Sequence, residues 1–211
     1  MQSDVIQISI QYWLKGGVLL FPIAAVCFLI WFYFLKLNYR ITRGLRAPGD
    51  LEYRLHAMIA RGETWAAVSG AAAKASPFFG GILSYITANI PGNDPRVLFE
   101  DVSREETGSV QRDLTVLRAL VAAAPLLGLI GTVLGMMDTF SVISSEARMS
   151  TAPLASGISK ALITTQFGLV VALPGIFAVN SLRQKNRQLS IRLSSFEHYL
   201  ADGLRKRNEA N

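Results

Sequence analysis

The architecture of the chain follows from two apolar stretches, ALVAAAPLLGLIGTVLGMM (residues 119–137) and ALITTQFGLVVALPGIFAVNSL (residues 161–182). Neither stretch contains a charged residue. As a helix, each would rise by about 1.5 Å per residue and nearly cross the roughly 30 Å hydrocarbon core of a bilayer. A short polar link, residues 144–153, joins them. The sequence therefore predicts a hairpin of two membrane-spanning helices around which the other elements are arranged.

Small side chains recur along both predicted helices at steps of three and four residues, which places each set on one helix face. The sets are Ala124, Gly128, Gly131, Gly135 and Thr139 in the first helix and Gly157, Ala161, Thr165, Gly168, Ala172 and Gly175 in the second. Helices in lipid associate largely through close backbone approach at such faces. The sequence predicts helix packing through them and, since they would otherwise expose backbone to lipid, a homo-oligomer.

Two threonines, Thr132 and Thr165, bring hydroxyl groups into the predicted helices. A hydroxyl can bind water or relay a proton, whereas a face used only for packing could carry alanine. Both residues are therefore candidates for an ion pathway, and simple helix packing is the alternative that the spacing leaves open.

Two blocks of this hairpin, PLLGLIGTVLGM (residues 125–136) and GISKALITTQFGLVVALPG (residues 157–175), resemble the paired signature of the MotA/TolQ/ExbB proton-channel family. The three-span layout resembles the ExbB and TolQ branch. The resemblance implies a pentameric inner-membrane ring around a single-span ExbD-like or TolR-like partner, with Thr132 and Thr165 facing the lumen. It also implies that inward proton movement at an aspartate of the partner powers a TonB-like protein, which supports import across the outer membrane.

One position departs from the family pattern. Many ExbB and TolQ relatives carry a glutamate where this chain has Lys160, and the other helix contains Asp138. If Thr132 and Thr165 lie level, helical rise places Asp138 about 9 Å and Lys160 about 7.5 Å outward, at nearly one depth. Charges inside a span usually pair or face water. We predict an ion pair between Asp138 and Lys160; the alternative is that Lys160 extends to the outer surface while Asp138 faces ions.

The distribution of charge predicts the membrane topology. The chain is 51% apolar, and residues 36–118 and 183–211 hold most of its Lys and Arg, which places those segments in the cytoplasm. The predicted fold is all-α, with the second and third spans extended into the cytoplasm. Its segments are a periplasmic interfacial segment (1–15), membrane spans at 16–35, 119–143 and 154–182, a cytoplasmic helical region (36–118), a periplasmic loop (144–153) and a cytoplasmic C-terminal helix (183–211).

Outside the hairpin, the first span is dense in bulky apolar residues and is predicted to face lipid at the rim as an anchor. Residues 5–14 are predicted to lie on the outer membrane surface as a helix, the alternative being the aromatic belt of that span. Asp4 and the length of the first span argue against a cleaved signal peptide.

In the cytoplasmic region we predict short helices at 51–61, with Asp50 as N-cap, at 64–75 and from 76–79 to about 89, before a long helix from Pro95.

Several classes of site are excluded by the sequence. Cys27 is the only cysteine, and His56 and His198 have no Cys or carboxylate at metal-ligand spacing. There is no phosphate loop, nucleophile elbow or zinc signature, and no basic stretch interleaved with aromatics. We therefore expect no enzyme activity, catalytic residue, cofactor, metal or nucleic-acid partner. A flagellar-type motor stator and a non-conducting membrane scaffold remain alternatives to the energy-transducing subunit.

Overall fold

A computed structural model describes residues 19–90, 94–145 and 151–209 of the chain. In these ranges the chain forms six α-helices and no strand: α1 Leu20–Leu45, α2 Leu51–Ala60, α3 Trp65–Ala75, α4 Pro77–Asn89, α5 Pro95–Ser145 and α6 Thr151–Glu209. Helices α1, α5 and α6 are each long and apolar enough to cross a membrane. The all-α, three-span prediction is thus confirmed, while the predicted surface helix at 5–14 lies outside the described residues.

Local backbone conformation and capping residues determine where the short helices begin and end. Gly62, which follows α2, has a φ of 76°, a backbone conformation that side-chain-bearing residues rarely adopt. The hydroxyl of Thr64 accepts a hydrogen bond from the Ala67 N–H at 3.4 Å and caps α3. Asp50 occupies the N-cap position of α2, as predicted, but its side chain makes no capping hydrogen bond. Its carboxylate lies 3.9 Å from Arg54 instead.

The chain divides into two compact units, which are described separately. The first comprises residues 1–34 and 115–180, and thus the apolar parts of α1, α5 and α6. In its part of α1, Leu20, Ile23 and Ile30 are buried, whereas four large aromatic side chains are exposed: Phe21, Phe28, Trp31 and Phe32. An exposed aromatic face of this kind fits the predicted role of the first span as a lipid-facing anchor.

The second unit comprises residues 35–114 and 181–211. Its core is built on Phe79, Phe99 and Phe196, which are fully buried. The ring centroids of Phe79 and Phe196 are 5.5 Å apart and those of Phe99 and Phe196 are 5.0 Å apart. Aliphatic residues from the surrounding helices complete this core, among them Leu37, Ile41, Leu55, Leu83, Leu114, Leu193 and Leu200. The unit therefore has large interlocking side chains in its core, packed as in the interior of a globular helical domain.

Candidate functional site

The candidate site is the contact between α5 and α6 in the first unit. Nine of the eleven residues in the two small-residue faces are buried there: Ala124, Gly128, Gly131, Gly135, Thr139, Ala161, Gly168, Ala172 and Gly175. The other two, Gly157 and Thr165, are half-buried. The two small-residue faces therefore meet inside one chain. Because each face is covered by the other, these faces do not by themselves require further copies of the chain, and the physical reason first given for a homo-oligomer does not hold.

Glycine permits direct contact between the two backbones. A Cβ atom added to Gly168 would lie 2.7 Å from the Ala124 carbonyl oxygen and 3.2 Å from the Gly128 Cα. A Cβ atom on Gly128 would lie 3.0 Å from the Thr165 Cα. Contacts this short are with backbone atoms, which cannot rotate away as a flexible side chain could. The hairpin is therefore specified by the absence of side chains at these positions.

Threonines fill the positions opposite two of the glycines. A Cβ on Gly131 would clash with Thr164, and a Cβ on Gly157 would clash with Thr139. Thr139 and Thr164 are buried, and their hydroxyls donate to the carbonyls of Gly135 and Ala161 in their own helices, each at 2.8 Å. Such bonds satisfy a hydroxyl where no water is available. Thr164 is a buried contact residue that the sequence analysis did not single out.

The two candidate ion-pathway threonines make different hydrogen bonds. Thr165 donates across the hairpin to the Gly128 carbonyl at 2.9 Å, whereas Thr132 donates to the Leu129 carbonyl of its own helix at 2.7 Å. Both residues are half-buried, so each hydroxyl oxygen keeps lone pairs near the edge of the contact. Thr132 is one helical turn from Gly128, about 6 Å along the axis. Thr165 lies beside Gly128, so the two threonines are about one helical turn apart along the hairpin axis.

The predicted ion pair between Asp138 and Lys160 remains a prediction. Asp138 is exposed on α5, and its backbone carbonyl accepts a hydrogen bond from the Ser141 hydroxyl at 2.8 Å. Lys160 lies in α6, but its side chain is outside the described residues.

The second unit contains a separate set of charged contacts between helices. Glu106 of α5 accepts two hydrogen bonds from Arg40 of α1, at 2.8 and 3.2 Å, and Arg40 also donates to Ser109. Lys36 lies 2.9 Å from Asp113. Charges that were distant in sequence are therefore paired between helices.

Arg192 of α6 is the most connected of these side chains. It donates to the Glu52 carboxylate and to the carbonyls of Leu45, Ala47 and Pro48, each at 2.9 Å. Its guanidinium also lies 6.0 Å from the centre of the Phe79 ring. Glu52 is buried, and Arg192 places an opposite charge beside its carboxylate. Arg192 therefore fixes the turn between α1 and α2.

His56 is also engaged, with a carboxylate rather than a metal. Its Nε2 lies 3.1 Å from Asp202, which also contacts Lys206 at 2.9 Å. Hydrogen bonds from Lys206 and then His56 lower the pKa of Asp202 below its usual value. Within the described residues, no group of three or more His, Cys, Asp or Glu residues is placed to hold a metal ion.

The sequence was also compared with known proteins. The sequence model of the MotA/TolQ/ExbB proton channel family matches residues 83–195. The biopolymer transport protein ExbB of Xanthomonas campestris pv. campestris is 36% identical over 107 residues, covering 51% of this chain and 42% of that protein. The Tol-Pal system protein TolQ of Pseudomonas aeruginosa is 32% identical over 113 residues, covering 50% of this chain and 49% of that protein.

A shorter match is to the biopolymer transport protein ExbB of Helicobacter pylori, which is 40% identical over 79 residues, covering 37% of this chain and 54% of that protein. The chain therefore spans about half the length of the curated relatives that it matches.

Proposed function

The chain belongs to the MotA/TolQ/ExbB proton channel family, and on that premise we propose that it is an inner-membrane subunit of a TonB-type or Tol-type energy-transducing complex. In this proposal the chain forms a ring, most simply a pentamer, around an ExbD-like or TolR-like single-span partner. Proton movement at the partner drives a TonB-like protein, and the N terminus is periplasmic and the C terminus cytoplasmic. The ExbB and TolQ names of the relatives favour this branch over a flagellar-type stator.

The observation that carries the proposal is the pair of hydroxyls at the edge of the hairpin. Thr165 is held by its hydrogen bond to the Gly128 carbonyl, so its oxygen is fixed in position and can accept a further hydrogen bond from water. Thr132 stands at a neighbouring level and is fixed by the Leu129 carbonyl. Two oriented oxygens at one edge of a rigid hairpin are a suitable surface for a water chain beside a titrating partner helix. In a scaffold that only packs helices, the Thr165 bond would serve the helix contact, whereas the Thr132 hydroxyl, which bonds within its own helix, would add nothing across that contact.

The proposed ring needs a different physical reason from the small-residue faces. Large apolar side chains of α5 and α6 point away from the hairpin contact, among them Leu129, Val133, Leu162, Leu173 and Phe177. These side chains are available to lipid, to neighbouring copies and to a partner helix. We attribute ring assembly to this outer surface, and native mass measurement in detergent checks it: a chain that stays monomeric at every concentration contradicts the ring.

The functional test combines Thr132→Val with Thr165→Val, since valine keeps the shape of threonine and removes the hydroxyl. The full chain is reconstituted in liposomes with a single-span, aspartate-bearing protein encoded beside it, and proton entry is measured under an imposed potential. We expect assembly to survive and proton entry to fall at least tenfold. The matched control is Thr164→Val, which makes the same change at the adjacent buried position and should leave proton entry unchanged.

Full proton entry in the double variant removes both threonines from the mechanism. The absence of any neighbouring single-span product, or one with an OmpA-like peptidoglycan-binding end, contradicts the energy-transducing assignment.

A further inference from the structure

The second unit contains an open cleft of about 640 Å³ between α1 and the junction of α3 with α4. One wall is formed by a single face of α1, with Arg46 one residue beyond the end of that helix. The α1 residues, Leu35, Asn38, Tyr39, Thr42 and Arg43, follow the helical repeat in their spacing. The other wall is formed by Ala75, Ser76 and Pro77. None of these lining residues is acidic.

Two hydroxyls in this cleft lack a hydrogen-bond partner among the described residues. Ser76 is only 2% exposed, and its Oγ, like the Oγ1 of Thr42, is buried without a partner. Thr87 and Thr107 of the same unit each donate at 2.7 Å to the carbonyl four residues earlier. The two other buried side-chain atoms without a partner among the described residues, Ser103 Oγ and Asn186 Oδ1, do not line this cleft. A buried hydroxyl left unpaired is costly, so two of them facing one cleft indicate a polar ligand.

Ser76 also stands at the N-terminus of a helix. It is the N-cap residue of the 13-residue α4, yet its side chain makes no capping hydrogen bond, in contrast with Thr64 at α3. The N–H groups of a first helical turn and the helix dipole both favour an anion. The unpaired Ser76 hydroxyl is thus at the end of the helix where an anion binds most favourably.

Two arginines provide the charge. Arg43 and Arg46 are exposed and line the cleft, and neither has a carboxylate partner among the described residues. This contrasts with Arg40 and Arg192 of the same unit, which are both paired with glutamates. The ligand implied by two unpaired guanidiniums, two unpaired hydroxyls and a helix N-terminus is a phosphate group.

The order of residues along α1 identifies the source of that phosphate. Leu35 ends the apolar part of the helix, and the lining face then passes through Tyr39 to Thr42 and finally to Arg43 and Arg46. Tyrosine is typical of the membrane–water boundary, and basic residues just beyond a span attract anionic headgroups. The apolar end of the cleft would meet acyl chains and glycerol, while its basic end would meet the headgroup.

We propose that this cleft binds the phosphate of an anionic phospholipid from the leaflet next to Arg43. The two arginines pair with the phosphate oxygens, Thr42 and Ser76 donate their hydroxyl hydrogens to it, and Leu35 and Tyr39 contact the glycerol and the first acyl carbons. The bound lipid connects α1 to the junction of α3 and α4. This inference requires only that α1 crosses a membrane, and it holds whether or not protons pass through the complex.

The test measures lipid binding to the delipidated full-length chain in detergent. Dioleoylphosphatidylglycerol and dioleoylphosphatidylcholine are titrated separately, and bound lipid is counted by native mass spectrometry. The anionic lipid should bind at least tenfold more tightly. Because each arginine near an anionic headgroup strengthens binding about fivefold, Arg43→Gln with Arg46→Gln should weaken it about 25-fold. The matched control is Arg183→Gln with Arg187→Gln, which removes the same charge from exposed positions of α6 and should change binding less than threefold.

Ser76→Ala tests the same site without a change of charge. In lipid-free detergent this variant should be at least as stable as the unmodified chain, because it removes an unpaired buried hydroxyl. Its melting temperature should rise less on addition of the anionic lipid. If the arginine variant does not fold, the Ser76→Ala result decides the proposal alone.

Three results overturn the proposal. Equal affinity for the two lipids removes the anionic preference, and equal losses in the arginine variant and its α6 control reduce the effect to general surface charge. Inorganic phosphate that displaces the lipid at about equal concentration assigns the cleft to a soluble phosphate compound instead of a membrane lipid.

Discussion

Between α5 and α6, the first unit places glycine against threonine and backbone, whereas the second unit places Phe79, Phe99 and Phe196 against one another. In the first unit the helices approach until a single added Cβ atom would clash with a carbonyl oxygen. In the second unit, large rings fill the space between the helices, and charged residues such as Arg192 and Glu52 link its elements.

Lipid around the first unit and water around the second would account for the difference. Lipid is as apolar as leucine, so large apolar side chains gain little by moving from lipid into a helix contact, and close van der Waals contact has to hold the helices together. In water, burial of apolar area contributes about 25 cal/mol per Å², and large side chains contribute most. The two units should therefore respond differently to the same kinds of substitution, and four predictions test this.

The largest expected change in the free energy of unfolding is at Phe196 of the second unit, whose side chain is 1% exposed. Phe196→Ala should lower the free energy of unfolding by about 3 to 5 kcal/mol, because it leaves a cavity between Phe79 and Phe99. The matched control is Phe177→Ala in the first unit, where the ring is 73% exposed and the expected loss is below about 1 kcal/mol. Chemical denaturation in detergent measures both, and equal losses would show that the comparison is wrong.

The next effect is at Arg192, whose side chain is 21% exposed and whose partner Glu52 is 9% exposed. Arg192→Gln should cost about 3 kcal/mol, since it leaves a largely buried carboxylate without its counter-charge. Adding Glu52→Gln should restore part of that loss. Arg187→Gln, at an exposed position of the same helix, serves as the control. A double variant no more stable than Arg192→Gln would contradict the role of the pair.

A smaller effect is expected at Gly168 in the hairpin. Gly168→Ala should destabilise the first unit by about 1 to 3 kcal/mol, because the new methyl group would lie 2.7 Å from a carbonyl oxygen and force the helices apart. The same change at Gly81, where nothing lies within 4 Å of the added atom, should be neutral or stabilising by up to about 1 kcal/mol. Thermal unfolding in detergent distinguishes the two outcomes, and similar shifts for both would argue against backbone contact.

The smallest expected change in stability is at Asp202. Lys206 and His56 lower the pKa of its carboxyl group below the usual value of 3.8. A lowered pKa means that the unfolded state binds protons more readily than the folded state as pH falls. The ionised carboxylate therefore stabilises the second unit above about pH 4, and that stabilisation is lost as pH falls through the folded pKa. Asp202→Asn should melt slightly below the unmodified chain at pH 7, and the difference should shrink at pH 3. A difference that grows in acid would reverse the assigned sign.

Much of the architecture was predicted from the sequence because it depends on patterns that are local along the chain. Uncharged runs indicated the apolar parts of α1, α5 and α6, and the spacing of glycine and alanine marked the residues that are buried in the hairpin. Pro95 marked the start of the long helix α5. These features rest on helix geometry and backbone conformation, which neighbouring residues determine.

Other features depended on which segments meet in space. Thr164 and Thr165 fit the small-residue spacing equally well, and only the rotation of α6 against α5 buried Thr164 and left Thr165 at the edge. The link from Arg40 to Glu106 and the pair of His56 with Asp202 join residues far apart in the chain.

The sequence by itself thus determined the helices, their apolar faces and the family. Only the tertiary structure decided which groups the charged side chains pair with and that the two small-residue faces cover each other within one chain. It also decided that Arg43 and Ser76 line the same cleft. The physical reason is that helix periodicity is encoded over a few residues, whereas a hydrogen bond or an ion pair needs two particular groups within about 3 Å. Packing of the whole chain sets that distance.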